Sequence, residues 1–272
     1  MSLIYCSLNS GSNGNCFYIG NQEDAVLIDA GLSCKETEKR MRMLDLKMDS
    51  VKAVFITHEH IDHVKGMEML AKKYNLPVFI STPTLQNSRV PLPAETRKDF
   101  SVAAPTIIGK MKIHAVRKFH DAADPHSFVV EQDDWRIGVF TDLGHICDHV
   151  SQAMLPCQVL FLESNYDEQM LEEGPYPYHL KKRISDSIGH LSNTQALDWL
   201  KCNSTSHLKH LLPAHLSAEN NHPEKVRSIF EEQLPHLKIS LAGRHSATSL
   251  FSISDLSIKK AAPEKPMQLN LF

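Results

Sequence analysis

No apolar stretch in the sequence approaches the roughly 20 residues that a helix needs to cross a bilayer, so a membrane-spanning helix is excluded. Residues 1–20, rich in Ser, Asn and Gly, lack the basic start and apolar run of a secretion signal, and the expected location is the cytoplasm. Cysteine is sparse and scattered. Cys6, Cys16, Cys34, Cys147, Cys157 and Cys202 show no CxxC spacing, which argues against a thiolate zinc site or a disulfide framework and for buried, reduced thiols. An excess of positive charge is missing too: 29 Lys and Arg against 32 Asp and Glu leave a formal net charge of −3. That balance excludes the wholesale basic face of a nonspecific nucleic-acid coat but leaves room for a local basic groove. No internal repeat is visible.

What is present suits a globular protein. With 272 residues, 42% of them apolar, the chain can bury the core of one large domain. Short apolar runs such as CFYIG, AVLIDAG, VKAVFIT, LPVFIST, MKIHAV, SFVVEQ, RIGVFTD, QVLFLES, LKHLLPAH and LKISLAG read as strands. KETEKRMRMLDL, HVKGMEMLAKKYN, NTQALDWLKC and PEKVRSIFEEQL read as helices between them, the alternation of an α/β domain. Polar residues of ligand type directly follow several strands: Asp29, His58, Asp142, Glu163 and His215. The ends of strands are where α/β folds place their chemistry. The pattern stops near residue 252, which bounds the domain at 1–252 and leaves 253–272 as a flexible tail ending in QLNLF.

The densest cluster is FITHEHIDHVKG, residues 55–66, which sets His58, His60, Asp62 and His63 after a strand. His58 and His60, two apart, point to one side; Asp62 and His63, past the bend, can face a second point nearby. One loop can therefore serve two metals. Imidazole and carboxylate suit Zn²⁺, Mn²⁺ or Fe²⁺, and paired catalytic ions sit about 3.5–4 Å apart. Glu59 does not complete an HExxH zincin motif, because Asp62 stands where the second histidine belongs.

This HxHxDH pattern after an apolar strand resembles the metallo-β-lactamase superfamily. The resemblance implies an αββα four-layer sandwich over residues 1–252 and two divalent ions. His58, His60, His120 and Asp142 would hold one ion, and Asp62, His63, Asp142 and His215 the other, with Asp29 supporting the histidine loop from behind. His120 is preferred over His114 and His126 because Asp121 and Pro125 fit the family's local pattern. The other histidines, His145 and His210 among them, are expected at the surface or in packing roles.

CQVLFLESNYD followed by GHLSNTQALDWL resembles the nucleic-acid phosphodiesterase branch, in which a glutamate and a histidine, here Glu163 and His190, lie beside the metals. With Asp62 they form the expected catalytic set. A histidine beside a carboxylate assists the departure of a leaving oxygen, as phosphodiester cleavage requires; a Glu–His pair also serves simply to tie a helix to a strand. Ser192 and Gln195 read as a capping box, and with Asn193 they open a helix whose free amides suit a phosphate. Ser10, Gly11, Ser12 and Gly14 either approach a phosphate or form only a hairpin turn. Arg244, His245 and the run Lys181, Lys182, Arg183 are further candidates for phosphate contacts, with a solvated surface as the alternative.

LSNTQA and SLNSGSNGNCFYI, together with LESNYD and AHLSAENN, are similar to the YycJ/WalJ family of small bacterial metallo-β-lactamase-fold proteins, which implies a DNA 5′→3′ exonuclease. The interval between Asp142 and His215 leaves no room for a β-CASP domain. Gln268, Leu269, Leu271 and Phe272 of the tail resemble a peptide that docks on the DNA sliding clamp, which would make the clamp a partner and DNA the substrate. The expected chemistry is attack on phosphorus by a hydroxide bridging two ions. A thioester or lactone hydrolase of the glyoxalase II type, or a non-catalytic clamp-bound protein, are the competing readings.

Overall fold

The computed structural model describes residues 2–21, 23–203 and 207–257. Two seven-stranded sheets form, and ten of their fourteen strands come from the runs that read as strands. The first holds β1 (Ile4–Asn9), β2 (Cys16–Gly20), β3 (Ala25–Ile28), β4 (Val51–Phe55), β5 (Val78–Phe79), β6 (Arg97–Lys98) and the late strand β14 (Phe251–Ser252), in the order β14-β1-β2-β3-β4-β5-β6. The second holds β7 (Thr106–Ile108), β8 (Met111–Arg117), β9 (His126–Gln132), β10 (Trp135–Phe140), β11 (Val159–Glu163), β12 (His210–Ala214) and β13 (Lys238–Ile239), with β13 and β7 at its edges. From β3 to β6 and from β10 to β13 neighbours run parallel; elsewhere they are antiparallel.

Alternation along each strand separates two apolar faces. Phe17, Ile28, Phe55, Phe128 and Phe161 point between the sheets into one core. Cys16, Leu27 and Val54 face outward under α1 (Cys34–Met43), α2 (Ile61–Val64) and α3 (Met67–Tyr74), which contribute Met41, Val64 and Leu70. On the other side Leu160 and Leu162 lie beneath α5 (Asp148–Met154), α8 (Asn193–Cys202) and α9 (Pro223–Gln233). The result is the four-layer αββα sandwich. Strands covered on both faces need continuous apolar sequence, which is why AVLI and VLFLE show no polar alternation. Truncating one of the buried phenylalanines between the sheets to Ala costs about 3–5 kcal/mol.

Some elements depart from the sequence reading. HVKGMEMLAKKYN is not one helix: it breaks into α2 and α3 at Gly66, whose amide leaves the helical pattern to donate to Ala30 O at 2.7 Å. β1, β6, β7, β14, α4 (Thr82–Ser88), α5, α6 (Glu168–Glu173) and α7 (Tyr178–Ile184) are additions. The folded region also continues past Ser252 into α10 (Ile253–Ser257), with Ile253 buried in the core between the sheets. Gln268, Leu269, Leu271 and Phe272 lie outside the described residues. No helix among the described residues is long and apolar enough to cross a membrane.

Candidate metal centre

The carboxyl ends of the parallel strands meet at one edge of the sandwich. β3 delivers Asp29, β4 delivers Thr57 and His58, β10 delivers Asp142, β11 ends on Glu163 and β12 delivers His215. Asp29, Asp142 and His215 each take a left-handed backbone, at φ 64°, 55° and 56°. That conformation turns the chain sharply as the strand ends; for non-glycine residues it is uncommon and concentrates at functional sites.

The loop after β4 is held from behind. Asp29 accepts from Thr57 N at 2.8 Å and from Thr57 Oγ1 at 2.9 and 3.0 Å, and its Oδ2 lies 2.7 Å from His63 Nδ1. Thr57 Oγ1 also lies 2.9 Å from His58 Nδ1. Both rings are thereby oriented with Nε2 toward a common space. Glu59 turns away and accepts from Ala123 N at 2.7 Å, on the loop that carries His120. Across the gap, His120 Nδ1 donates to Gly189 O at 3.0 Å. Lys118, buried just before it, donates to Thr141 O at 2.6 Å and so braces the turn that presents Asp142.

Ligand atoms of His58, His60 and His120 lie within 4.8 Å of one another, as do those of Asp62, His63 and His215, and those of His58, His63 and Asp142. Asp142 stands between the first two groups, its Oδ2 3.3 Å from His63 Nε2 and its Oδ1 3.8 Å from His120 Nε2. His114 and His126 are not in these groups; His114 Nε2 lies 3.3 Å from Glu131 and His126 Nδ1 donates to Asp124 O.

The donor set fits divalent cations on two grounds. His120 Nε2, His215 Nε2 and Asp142 Oδ2 are buried with no hydrogen-bond partner, an arrangement that costs free energy unless an ion meets them. Three buried carboxylates, Asp29, Asp142 and Glu163, and the half-buried Asp62 also crowd together, which calls for compensating positive charge. The titration of the neighbours reflects this. Burial opposes charge on His63, yet Asp29, Asp142 and Asp62 outweigh it and hold its pKa well above the usual imidazole value. Burial likewise opposes charge on His215, but Asp142, with hydrogen bonds to Asp62 and Glu163, raises it to about 10. His58 goes the other way, lowered by burial and by His63, and burial takes His120 down to about 4, so both offer neutral nitrogen lone pairs.

At the open side, Glu163 Oε1 lies 2.8 Å from His190 Nδ1 and 3.0 Å from His215 Nδ1. Its Oε2 accepts from Leu143 N and Leu191 N. Burial would raise the Glu163 carboxyl, but His190 and the hydrogen bonds from His190 and His215 lower it to about 2. His190 lies 3.9 Å from Asp142 Oδ1 and, with His60, Asp62, Tyr176 and Arg183, lines a cavity of about 260 Å³ over the donors.

The expected phosphate contacts divide. Ser12 faces this cavity, but Ser10 is buried with its Oγ accepting His215 N–H, and Gly11 N–H donates to Asn15 Oδ1. Ser192 and Asn193 are fully buried, and their amides are already taken by Gln195 Oε1 and Tyr166 O. The α8 end that the sequence offers to a phosphate is therefore satisfied internally, by a side chain of its own capping box and by a carbonyl from a distant loop. Arg183 reaches the cavity by pairing with Asp121 at 2.8 Å, whereas Lys181 is tied to Glu172 O and Arg244 donates to Leu216 O. Thr57, Lys118, Asn15 and Asn165 escape the sequence reading. Asn15 touches His63 Nε2 at 3.0 Å, and Asn165 donates to His215 O at 2.7 Å. Adjacency to a strand-end ligand was the available signal for Thr57; none existed for the others.

A four-layer sandwich whose strand ends gather histidines and carboxylates in this way defines a metallo-β-lactamase-fold, metal-dependent hydrolase, and the description Beta-lactamase superfamily domain matches residues 24–215. Among known proteins, the exodeoxyribonuclease YycJ of Bacillus anthracis is 34% identical over 230 residues, covering 84% of this chain and 87% of the relative. The exodeoxyribonuclease WalJ of Streptococcus pneumoniae serotype 2 is 30% identical over 235 residues, covering 85% and 87%. The chain belongs to this superfamily, in its YycJ/WalJ subfamily. The fold is also that of YhfI from Bacillus subtilis, at TM-score 0.67 and 14% identity over 91% of this chain and 99% of that one. Human short-form tRNase Z matches at TM-score 0.62 and 15% identity, over 90% and 98%.

Proposed function

We propose that the chain is a dinuclear metal-dependent phosphodiesterase that degrades DNA from the 5′ end. One ion would be held by His58, His60, His120 and Asp142, the other by Asp62, His63, Asp142 and His215, with zinc or manganese suited to such donors and iron also accepted. Such ions supply, when bound, Lewis-acid polarisation and a water acidified toward a pKa of about 7. Everything else falls to the protein. Asp29 and Thr57 fix the tautomers of His63 and His58, and Gly189 O fixes that of His120. Asp62, at the cavity wall, orients the attacking water toward phosphorus. Glu163 holds His190 by Nδ1, which leaves Nε2 for the phosphoryl or leaving oxygen.

The observation that carries this reading is the Glu163–His190 pair, seated at the open side of the donors and 3.9 Å from Asp142. A nucleophile acting on a strained lactam does not need such a group, whereas departure of a nucleotide oxygen does. The names of the YycJ and WalJ relatives support DNA as substrate. The test is hydrolysis of 5′- and 3′-labelled DNA and RNA by manganese- or zinc-loaded protein, beside thioester and lactone substrates. The double substitution Asp62→Ala, His63→Ala should abolish cleavage, and His190→Ala should lower kcat by about 10²–10⁴-fold. Equal DNA cleavage by the wild type and the double variant removes the proposal.

The tail is a second element of the reading. Gln268, Leu269, Leu271 and Phe272 would dock on the DNA sliding clamp, holding the enzyme near its substrate at millimolar effective concentration. Deleting residues 268–272 should abolish clamp binding in a pull-down and leave cleavage of naked DNA intact; clamp binding that survives the deletion refutes this role.

A further inference from the structure

Three of the large apolar side chains that the described fold leaves exposed, Ile61, Phe119 and Ile188, are next in sequence to donors or to residues that line the donor cavity. Phe119, 49% exposed and adjacent to His120, stacks on the ring of His145 with centroids 4.7 Å apart and planes within 21°. His145 is held in turn, its Nδ1 donating to Ser187 O at 2.8 Å. Between them Gly144 N–H donates to Phe119 O at 2.8 Å, and Gly144 lies so close to the next segment that a Cβ there would stand 2.1 Å from Ser187 O and 2.4 Å from Ile188 Cα. Phe119 and His145 therefore form a fixed aromatic patch, with the backbone of Ile188 packed against the glycine between them.

The patch abuts the site. Ile188 precedes Gly189, which accepts from His120, and both Gly189 and Asp121 line the donor cavity. α7 leads into the same segment and ends in Lys181, Lys182 and Arg183, with no acidic residue in the helix. The nearest acid after it, Asp186, is engaged by Ser187 Oγ at 3.1 Å.

We propose that Phe119, stacked on His145, is the platform on which an unpaired nucleobase stacks while the neighbouring phosphodiester enters the cavity. This rests on the DNA phosphodiesterase reading and adds to it the form of the substrate end. A base offers a flat π face to an exposed ring and keeps its polar edge in water, while the phosphates on either side need cations such as Lys182 and Arg183. An aromatic surface of this kind accepts every base, so it confers no sequence preference. It does require the base to leave a duplex, and it therefore favours single-stranded or frayed ends.

The test is a cycle of binding measurements on manganese-loaded protein, by fluorescence anisotropy, with a short fluorescein-labelled oligothymidylate made resistant to hydrolysis by phosphorothioate linkages. An abasic residue is placed at the terminal and then at the penultimate position. In the wild type one of these should weaken binding by about 5- to 100-fold. Phe119→Ala should bind the intact oligonucleotide with about that same loss and be indifferent to the abasic residue, and Phe119→Trp should regain the discrimination. Losses that multiply, or a Phe119→Ala protein that binds as the wild type does, overturn the platform. A change from dimer to monomer in Phe119→Ala without a change in DNA binding assigns the patch to a contact between copies and also overturns it. Wild-type protein that cleaves no DNA at all sinks the phosphodiesterase reading itself, a separate result.

Discussion

Gly31→Ala isolates the dependence of the centre on one close backbone approach. Gly31 N–H donates to Asn15 O at 2.8 Å, and Asn15 N–H donates to Asp62 O at 2.7 Å, so three backbone segments meet at one point beneath the histidine loop. A Cβ on Gly31 would stand 1.7 Å from Asp62 O and 2.4 Å from Asn15 N. Ordinary contact needs about 3.4 Å, so these segments must separate by about 1.7 Å. Nothing in that contact is a flexible side-chain tip that could swing away. Overpacking of this kind costs about 1–3 kcal/mol, which for a chain of this size lowers Tm by about 2–10 °C. The larger effect is on function, because the displacement passes directly to Asp62 and His63, and a misplacement near 1 Å costs about 10²-fold in rate. The assays are thermal unfolding, metal content by mass spectrometry and DNA hydrolysis. Gly243→Ala is the control: its Cβ would meet only Ser246 O, at an ordinary 3.8 Å, and should change none of the three. Wild-type Tm, metal content and rate in Gly31→Ala would refute the reasoning.

Two other predictions concern stability. Burial, and then the charge of Lys238, hold His210 down to about 3, where it pairs with Tyr5 Oη at 2.7 Å. The unfolded ring titrates near 6.5, so protons bind the unfolded state preferentially; the pair is undisturbed above pH 6.5 and stability falls as pH drops from about 6.5 toward about 3. Tyr5→Phe with His210→Leu should flatten this part of the Tm–pH profile, and an unaltered slope would count against the assignment. Ser192→Ala removes the capping box of α8, in which Ser192 Oγ accepts Gln195 N–H at 3.1 Å, and should cost about 1 kcal/mol in urea unfolding. An unchanged midpoint would show the cap to be dispensable.

His120 rested on the family resemblance alone, whereas four of the donor candidates were legible because they crowd one turn, and Asp142 and His215 because each follows an apolar strand, a local signal in both cases. The strands covered on both faces were legible for the same reason. β1 was not: Ser7 and Asn9 interrupt its apolar pattern, although both are buried in the folded chain. β6 and β14 have two residues each, too few for any period to show, and they exist only through neighbours distant in sequence. The amide of Asn193 looked free because the sequence cannot reveal that Tyr166 O lies against the start of α8, whereas that of Ser192 is taken by Gln195, the capping-box partner already visible in the sequence. Lys118 was unreadable for a similar reason, since its partner Thr141 belongs to another strand end.

Asp29, His58, His60, Asp62 and His63 come from the ends of the first sheet, whereas His120, Asp142, Glu163 and His215 come from the second. Neither half of the chain carries a complete constellation. A break in the connector at residues 99–105 would leave two fragments, each inert alone, and turnover on remixing them would report how well the halves had found each other. Catalysis in this architecture thus doubles as a gauge of assembly, lost as soon as one slab slips against the other.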